Sequence, residues 1–261
     1  MADAKTKTFV ANAPAWVDLS STDAAASRDY YSKLFGWNVE LGGPDAGGYA
    51  LAKIGGKDVA GIGPTQSPQG PSAWMVYIGT RDADAVAKKV EAEGGKVIAP
   101  PFDVLKSGRM AVFQDPSGAF ISAWQPNEMI GAEVTGKEGS YAWAELNARG
   151  IDKAKAFYGR VFGWGEKVSP MGEGQGDYTE FKLEGQSIAG GMEMNEMVPK
   201  EVPSYWMVYF GADNVDKTHK KAVDLGAKEV LPPQDFPGGR FSILSDPQGA
   251  AFGLLSLPQQ S

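Results

Sequence analysis

The chain predicts an α+β protein of two tandem domains, on three observations. The wording Ala15-Trp16-Val17-Asp18-Leu19, followed by Tyr30-Tyr31-Ser32-Lys33-Leu34-Phe35-Gly36-Trp37, returns as Ala142-Trp143-Ala144-Glu145-Leu146 and Phe157-Tyr158-Gly159-Arg160-Val161-Phe162-Gly163-Trp164, with Trp16 and Trp143 standing 127 residues apart. Pro71-Ser72-Ala73-Trp74-Met75-Val76-Tyr77 returns as Pro203-Ser204-Tyr205-Trp206-Met207-Val208-Tyr209 at an offset of 132, and Asp115-Pro116-Ser117-Gly118 returns as Asp246-Pro247-Gln248-Gly249 at 131. A repeat of about 130 residues is the size of a small domain and too long for a solenoid unit. Within each copy, short apolar runs of strand character alternate with patterns of helical period.

The elements follow in order. Residues 15–20 form an apolar run carrying Trp and Val, a strand. Thr22-Asp23 can cap a helix whose stripe is Tyr30, Tyr31 and Leu34 and whose stop is Gly36. In the second copy Asp152 is the expected cap, Ala154, Phe157, Tyr158 and Val161 the stripe, and Gly163 the stop. Strand patterns at 49–54 and 59–63 match those at 178–183 and 187–193. The motif then restarts, with a strand at 74–78, a helix at 82–93 ended by Gly94-Gly95, and strands at 97–98, 110–113 and 119–124. Asp115-Pro116-Ser117-Gly118 makes the turn before the last of them. Each copy therefore reads as two strand–helix–strand–strand–strand units. The polar, glycine-bearing stretch between them sets the expected division: a first domain at 1–127, a linker at 128–140 and a second domain at 141–261.

Composition narrows the function classes. With 261 residues, 43% hydrophobic and 22% charged, the chain has mass for two cores. A net charge of −7 and the absence of any Lys/Arg run argue against nucleic acid, whose binding needs clustered cations. No apolar stretch approaches the ~20 residues of a membrane helix. The first fourteen residues lack the apolar core of a signal peptide, which makes the cytoplasm the expected compartment. Zero cysteines remove disulfides, thiolate ligands and cysteine nucleophiles.

Paired βαβββ units, a Phe-Tyr or Tyr-Tyr followed by Phe-Gly-Trp after the first helix, and an Asp-Pro-x-Gly turn before the last strand together resemble the vicinal oxygen chelate superfamily, which includes glyoxalase I, bleomycin-resistance proteins and extradiol dioxygenases. The resemblance spans both copies. It is nearest to two-domain actinobacterial glyoxalase-like proteins that share the Trp-x-Asp-Leu, Phe-Gly-Trp and Asp-Pro-x-Gly-Ala wording. It implies two domains of this type, each a curled mixed sheet with outer helices, and a pocket on the concave face. Enzymes of the group hold one divalent metal there with His, Gln and Glu, taken from the first and last strands of each unit.

Carried over residue by residue, those ligand positions hold no ligands. Counting seven back from the capping Asp23 gives Trp16, with Trp143 as its match. The same count in the later units gives Met75 and Met207. Seven after the Asp of the Asp-Pro-x-Gly turn stand Ser122 and Gly253, and the remaining position falls near Gly61-Ile62 and Met192-Glu193. Divalent ions of this group want imidazole or carboxylate, so Glu193 is a lone possible ligand and no metal and no other cofactor is expected. The one histidine, His219, reads as a helix-packing or surface residue rather than a catalytic one.

Strand alternation then puts Trp16 and Asp18 on the cleft floor with Phe120, Ser122 and Trp124 opposite, and Trp143 and Glu145 opposite Ala251, Gly253 and Leu255. The other parity, Ile121 and Ala123 or Phe252 and Leu254, would face the helices. Arg109 and Arg240 are candidate partners for the carboxylates, anchors for an anion, or surface residues. Asp18, Glu145 and Glu180, with Tyr178, are the candidate acid–base groups. An aromatic cleft with one carboxylate per copy suits a planar or cationic organic ligand. The expected function is thus metal-independent binding of such a small molecule by a monomer or homodimer. The alternatives are a glyoxalase-like lyase or isomerase, or an oxygenase, and a protein-interaction or regulatory scaffold. Aromatics that merely fill the cleft as core also fit the residues.

Overall fold

In the computed structural model, which describes residues 9–66, 70–172, 174, 176–195 and 198–256, each copy contributes one eight-stranded mixed sheet. Copy one runs β1 (Pro14–Ser21), α1 (Ala24–Phe35), β2 (Asn38–Leu41), β3 (Ala50–Ile54), β4 (Lys57–Pro64), β5 (Ala73–Gly79), α2 (Ala83–Ala92), β6 (Lys96–Val104), β7 (Gly108–Gln114) and β8 (Phe120–Pro126). Copy two runs β9 (Tyr141–Ala148), α3 (Ile151–Phe162), β10 (Gly165–Gly172), β11 (Gly176–Leu183), β12 (Gln186–Glu193), β13 (Tyr205–Gly211), α4 (Val215–Asp224), β14 (Lys228–Phe236), β15 (Gly239–Ser245) and β16 (Ala251–Leu255). The strand orders, β2-β3-β4-β1-β5-β8-β7-β6 and β10-β11-β12-β9-β13-β16-β15-β14, are the same order in two copies. This is the predicted α+β arrangement of four βαβββ units. Two edge strands, β2 and β10, have no clear sequence pattern: β2 has four residues, three of them exposed, and six of the eight residues of β10 are exposed, so little burial alternation is written into either.

Local chemistry explains the helix ends. The Asp23 side chain accepts from the Ala26 N–H at 3.0 Å, and Asp82 and Asn214 do the same for α2 and α4. Gly36 and Gly163 stop α1 and α3 at φ of +73° and +75°. The expected cap Asp152 is instead the second residue of α3, paired with Lys155 at 2.9 Å. Gly150 holds the cap position, and the Glu193 carboxylate receives the free Gly150 and Ile151 N–H groups at 2.7–3.0 Å.

On the helix face of both sheets, Val17, Leu19, Ile78, Ile121, Phe113, Leu254 and Phe252 are buried in one core shared by the two copies. The repeated aromatics make that joint. Tyr31 of α1 lies edge-on to Phe252 of copy two, with ring centroids 5.6 Å apart. Trp37 Nε1 donates to the Gly139 carbonyl, and its counterpart Trp164 donates to the Asn12 carbonyl.

The segment between the copies is bound to copy one through Glu133, and its end, at Glu138, Gly139 and Ser140, bonds Gly211 of copy two. The N–H groups of Asn127 and Met129 reach the Ser107 carbonyl, Ala132 N–H reaches the Ala15 carbonyl at 2.8 Å, and Glu133 N–H reaches the Asp58 carbonyl at 2.8 Å. Asp58 N–H answers to the Glu133 carboxylate at 2.8 Å. A Cβ on Gly131, whose φ is +109°, would lie 2.5 Å from the Ala15 carbonyl oxygen, so only glycine lets this strap run so close to β1.

Candidate functional site

Cross-strand partners share a face of a sheet, so register fixes what meets on the side turned away from the helices. In copy one, Asp18 pairs with Gly61 and Met75, and Trp16 pairs with Tyr77, which in turn pairs with Ser122. In copy two, Glu145 pairs with Gly190 and Met207, and Trp143 pairs with Tyr209, which pairs with Gly253.

Corresponding hydrogen bonds tie each centre, with one difference. Trp16 Nε1 donates to the Tyr49 hydroxyl at 3.1 Å, Tyr49 donates to Asp18 Oδ2 at 3.2 Å, and Tyr77 donates to the same oxygen at 2.9 Å. Trp143 Nε1 donates to the Tyr178 hydroxyl at 2.9 Å and Tyr209 donates to Glu145 Oε1 at 3.2 Å, while the Tyr178 hydroxyl lies close enough to Glu145 to draw its carboxyl down. Glycine makes room for the rings. A Cβ on Gly61 would lie 1.8 Å from the Tyr49 hydroxyl, and one on Gly190 would lie 1.9 Å from that of Tyr178. Burial pushes Asp18 up to about 6, against the pull of the Tyr77 and Tyr49 hydrogen bonds. Burial likewise raises Glu145, against Tyr178, Tyr209 and Asn147. The four tyrosines are raised as well, first by burial and then by the adjoining carboxylate.

Sequence reasoning named Trp16, Asp18, Trp143, Glu145 and Tyr178, and the structure brings them into these two tetrads. It overlooked Tyr49, Tyr77 and Tyr209 as ligating hydroxyls. The available signal was the tyrosine that closes Trp-Met-Val-Tyr in both copies. Ser122 and Trp124 lie on the cleft face of β8, whereas Phe120 is 46% exposed at its rim.

The two arginines do not serve the carboxylates. Arg109 alternates with Met110 and so points to the helix face, where Asp84 and Asp103 hold it at 2.9 and 2.8 Å. Arg240 is held in the same way by Asp216 and Asp235 at 2.7 and 2.8 Å. Nor is Glu180 a base: hydrogen bonds from Ser187 and Lys182, with Lys167 beyond, draw its carboxyl down to about 2. His219 is buried on α4 with Nε2 2.8 Å from Glu229, away from both centres.

The sequence model described as Glyoxalase/Bleomycin resistance protein/Dioxygenase superfamily matches residues 13–122 and again 140–254. The chain belongs to this superfamily. Among curated relatives, this superfamily member is 41% identical over 266 residues to the anthracycline biosynthesis protein DnrV of Streptomyces peucetius, covering 95% of this chain and 94% of that one. It is 40% identical over 254 residues to CFP32 of Mycobacterium bovis, whose name carries a provisional assignment as a glyoxylase, covering 95% and 96%. Among solved structures, the Mn(II)-bound glyoxalase from Novosphingobium aromaticivorans superposes with a TM-score of 0.65 at 18% identity, covering 94% of this chain and 82% of that one. The 2,3-dioxygenase LapB from Pseudomonas sp. KL28 gives 0.66 at 13% identity, covering 94% and 91%. At such identities the structures establish the shared fold.

The superfamily's divalent metal does not fit the residues present. Both pairing rows at each centre, whichever one is taken as the ligand row, offer Trp, Asp, Gly, Met, Tyr and Ser in copy one and Trp, Glu, Gly, Met, Tyr and Gly in copy two. That is one carboxylate and no imidazole per centre, and the carboxylate is already committed to tyrosine hydroxyls. Among the described residues, no group of three or more His, Cys, Asp or Glu could hold an ion. Glu193, the one extra carboxylate noted in the sequence, is committed to the α3 N-terminus. No helix among the described residues is long and apolar enough to cross a membrane.

Proposed function

We propose that this protein binds a small organic molecule, planar and aromatic or cationic, on the cleft face without a metal ion. One observation carries the reading. A matching set of Trp, Tyr, carboxylate and Tyr stands on the cleft face of both copies, around Trp16 and Trp143, two positions where the superfamily resemblance implies a metal ligand. Aromatic rings give stacking surface, and a carboxylate poised near neutrality gives a counter-charge for a cation. Kinship with a protein of anthracycline biosynthesis supports a fused-ring ligand carrying an amine. Titration of a fluorescent anthracycline in the presence of a metal chelator tests this. A saturable change in emission is expected, weakened about tenfold or more when Asp18→Asn and Glu145→Gln are combined. Binding that requires an added divalent ion would refute it.

A second reading, a glyoxalase-like lyase or isomerase that moves a proton beside a carbonyl, is favoured by one observation, the Asp18 carboxyl lying near 6. Such an enzyme would show kcat rising through pH 6 and would lose turnover in Asp18→Asn. Turnover unchanged in that variant would exclude Asp18 as the base.

A further inference from the structure

The two tetrads are alike, but their surroundings are not. In copy one the strap closes the Trp end of the cleft. Met129 and Ala132 pack with Trp16, Tyr77 and Trp124 into a separate apolar cluster, and Trp124 Nε1 donates to the Met129 carbonyl at 2.9 Å. Trp16 is left 4% exposed. In copy two the counterpart of Trp124 is the half-buried Leu255, and Trp143 is half-buried where Trp16 is covered.

The strap grips copy one at Ala15 and Asp58. Register makes Ala142 and Ser187 their counterparts, because Ser187 pairs with Lys182 as Asp58 pairs with Lys53. Ala142 and Ser187, together with Ala15 itself, line a cavity of about 470 Å³ that reaches Trp143 but not Trp16 or Asp58. Its far wall comes from the other side of the molecule, from Phe9 and Val10 ahead of β1 and from Ile130 and Ala132 of the strap. The volume lies within the ~300–1,000 Å³ of small-molecule sites, and the walls are mostly apolar with Glu184, Gln186 and Ser187 as polar groups.

We infer that the organic ligand is taken in this junction cavity, one per chain, stacked on Trp143, while the strap closes the corresponding place in copy one. The site is therefore made by both copies, and it suits a fused-ring molecule whose amine or hydroxyl lies by Glu184 and Gln186. Trp143 Nε1 donates to Tyr178 at 2.9 Å, so occupancy of the cavity touches the copy-two tetrad directly. This inference rests on the ligand-binding reading above, and its test separates the two.

The natural chain has no cysteine, so single thiols report on each groove without background. Ser187→Cys should react with a small maleimide at least tenfold faster than Asp58→Cys in the absence of ligand. Equal rates would overturn the open and closed assignment. In anthracycline titrations the expected stoichiometry is one per chain. Binding should fall at least tenfold in Ala142→Trp, which fills the cavity, and in Ser187→Trp, an exposed position whose change leaves the core intact. Two equivalents per chain, or binding indifferent to both variants, would overturn the inference while leaving the ligand reading standing. No binding by the natural chain would defeat the ligand reading and the ligand assigned to this cavity together, and the thiol rates would then show separately whether the groove is open.

Discussion

The Tyr31 hydroxyl of α1 donates to Oδ2 of Asp246, 215 residues further on, at 3.0 Å, and Tyr158 of α3 returns the same bond to Asp115 at 2.8 Å. The helix of each copy is thus fastened to the Asp-Pro-x-Gly turn of the other. Within that turn, Asp246 also accepts from the N–H groups of Gln248 and Ala250, and Asp115 accepts from those of Ser117 and Ala119. Tyr31→Phe keeps the ring in its aromatic cluster but removes both the donor to Asp246 and the acceptor of the Trp74 Nε1–H bond at 3.0 Å. It should lower stability by about 2 kcal/mol or more, the range for a hydrogen bond to a charged group. In an Asp246→Asn background it should cost less, the loss of the Trp74 bond being common to both. Urea denaturation of the four-member cycle checks this, and a coupling indistinguishable from zero would contradict it.

Much of this joint was legible as repetition but not as contact. The Phe-Gly-Trp and Asp-Pro-x-Gly wording marked the fold, and alternation along β1 and β8 gave the faces of Trp16, Asp18, Ile121 and Ala123. Nothing in a linear pattern says that Tyr31 reaches Asp246 across the copies, because that partner is set by how two domains pack. The strap was hidden for a similar reason. Its polar, glycine-bearing composition reads as a linker, and only the close approach of Gly131 to Ala15 shows it to be bound. For Arg109 and Arg240 the surface reading holds; it could not be chosen from the sequence because Asp84 of α2 and Asp216 of α4 stand 25 and 24 residues away.

Stability should fall with rising pH through the carboxylate range on account of Asp18. Its folded value, about 6, lies above the ordinary 3.8, so the protonated form favours the fold. The contribution is complete below about pH 4, is lost as pH rises toward 6, and is flat above. A shift of roughly two units corresponds to about 3 kcal/mol. Asp18→Asn should therefore lose this slope and gain stability over the natural chain at pH 8 relative to pH 4. Glu145 and Asp246 are raised too, so they push in the same direction. Urea midpoints at pH 4, 5, 6 and 8 measure it, and parallel profiles for the two proteins would contradict the assignment.

Gly61→Ala should displace the Tyr49 ring, since the new methyl would meet its hydroxyl at 1.8 Å. The expected loss is about 2 kcal/mol, in the range of overpacked sites. Trp16, whose indole N–H bonds Tyr49, should report it as a changed emission maximum. An unchanged spectrum and stability would show that the ring can move freely.

Arg109→Ala and Arg240→Ala should each leave stability nearly unchanged, because these ion pairs lie at the surface, where solvent screens them. Neither change should alter ligand affinity. A tenfold loss of anthracycline binding in either variant would return the arginines to the site.

The most direct test of metal-free ligand binding is native mass spectrometry of gently purified protein beside its denatured mass, with elemental analysis of the same sample. The proposed function predicts an added organic mass and no stoichiometric divalent metal. One tightly held divalent ion per copy, surviving desalting, would contradict it, because two centres with one committed carboxylate each have nothing with which to hold such an ion.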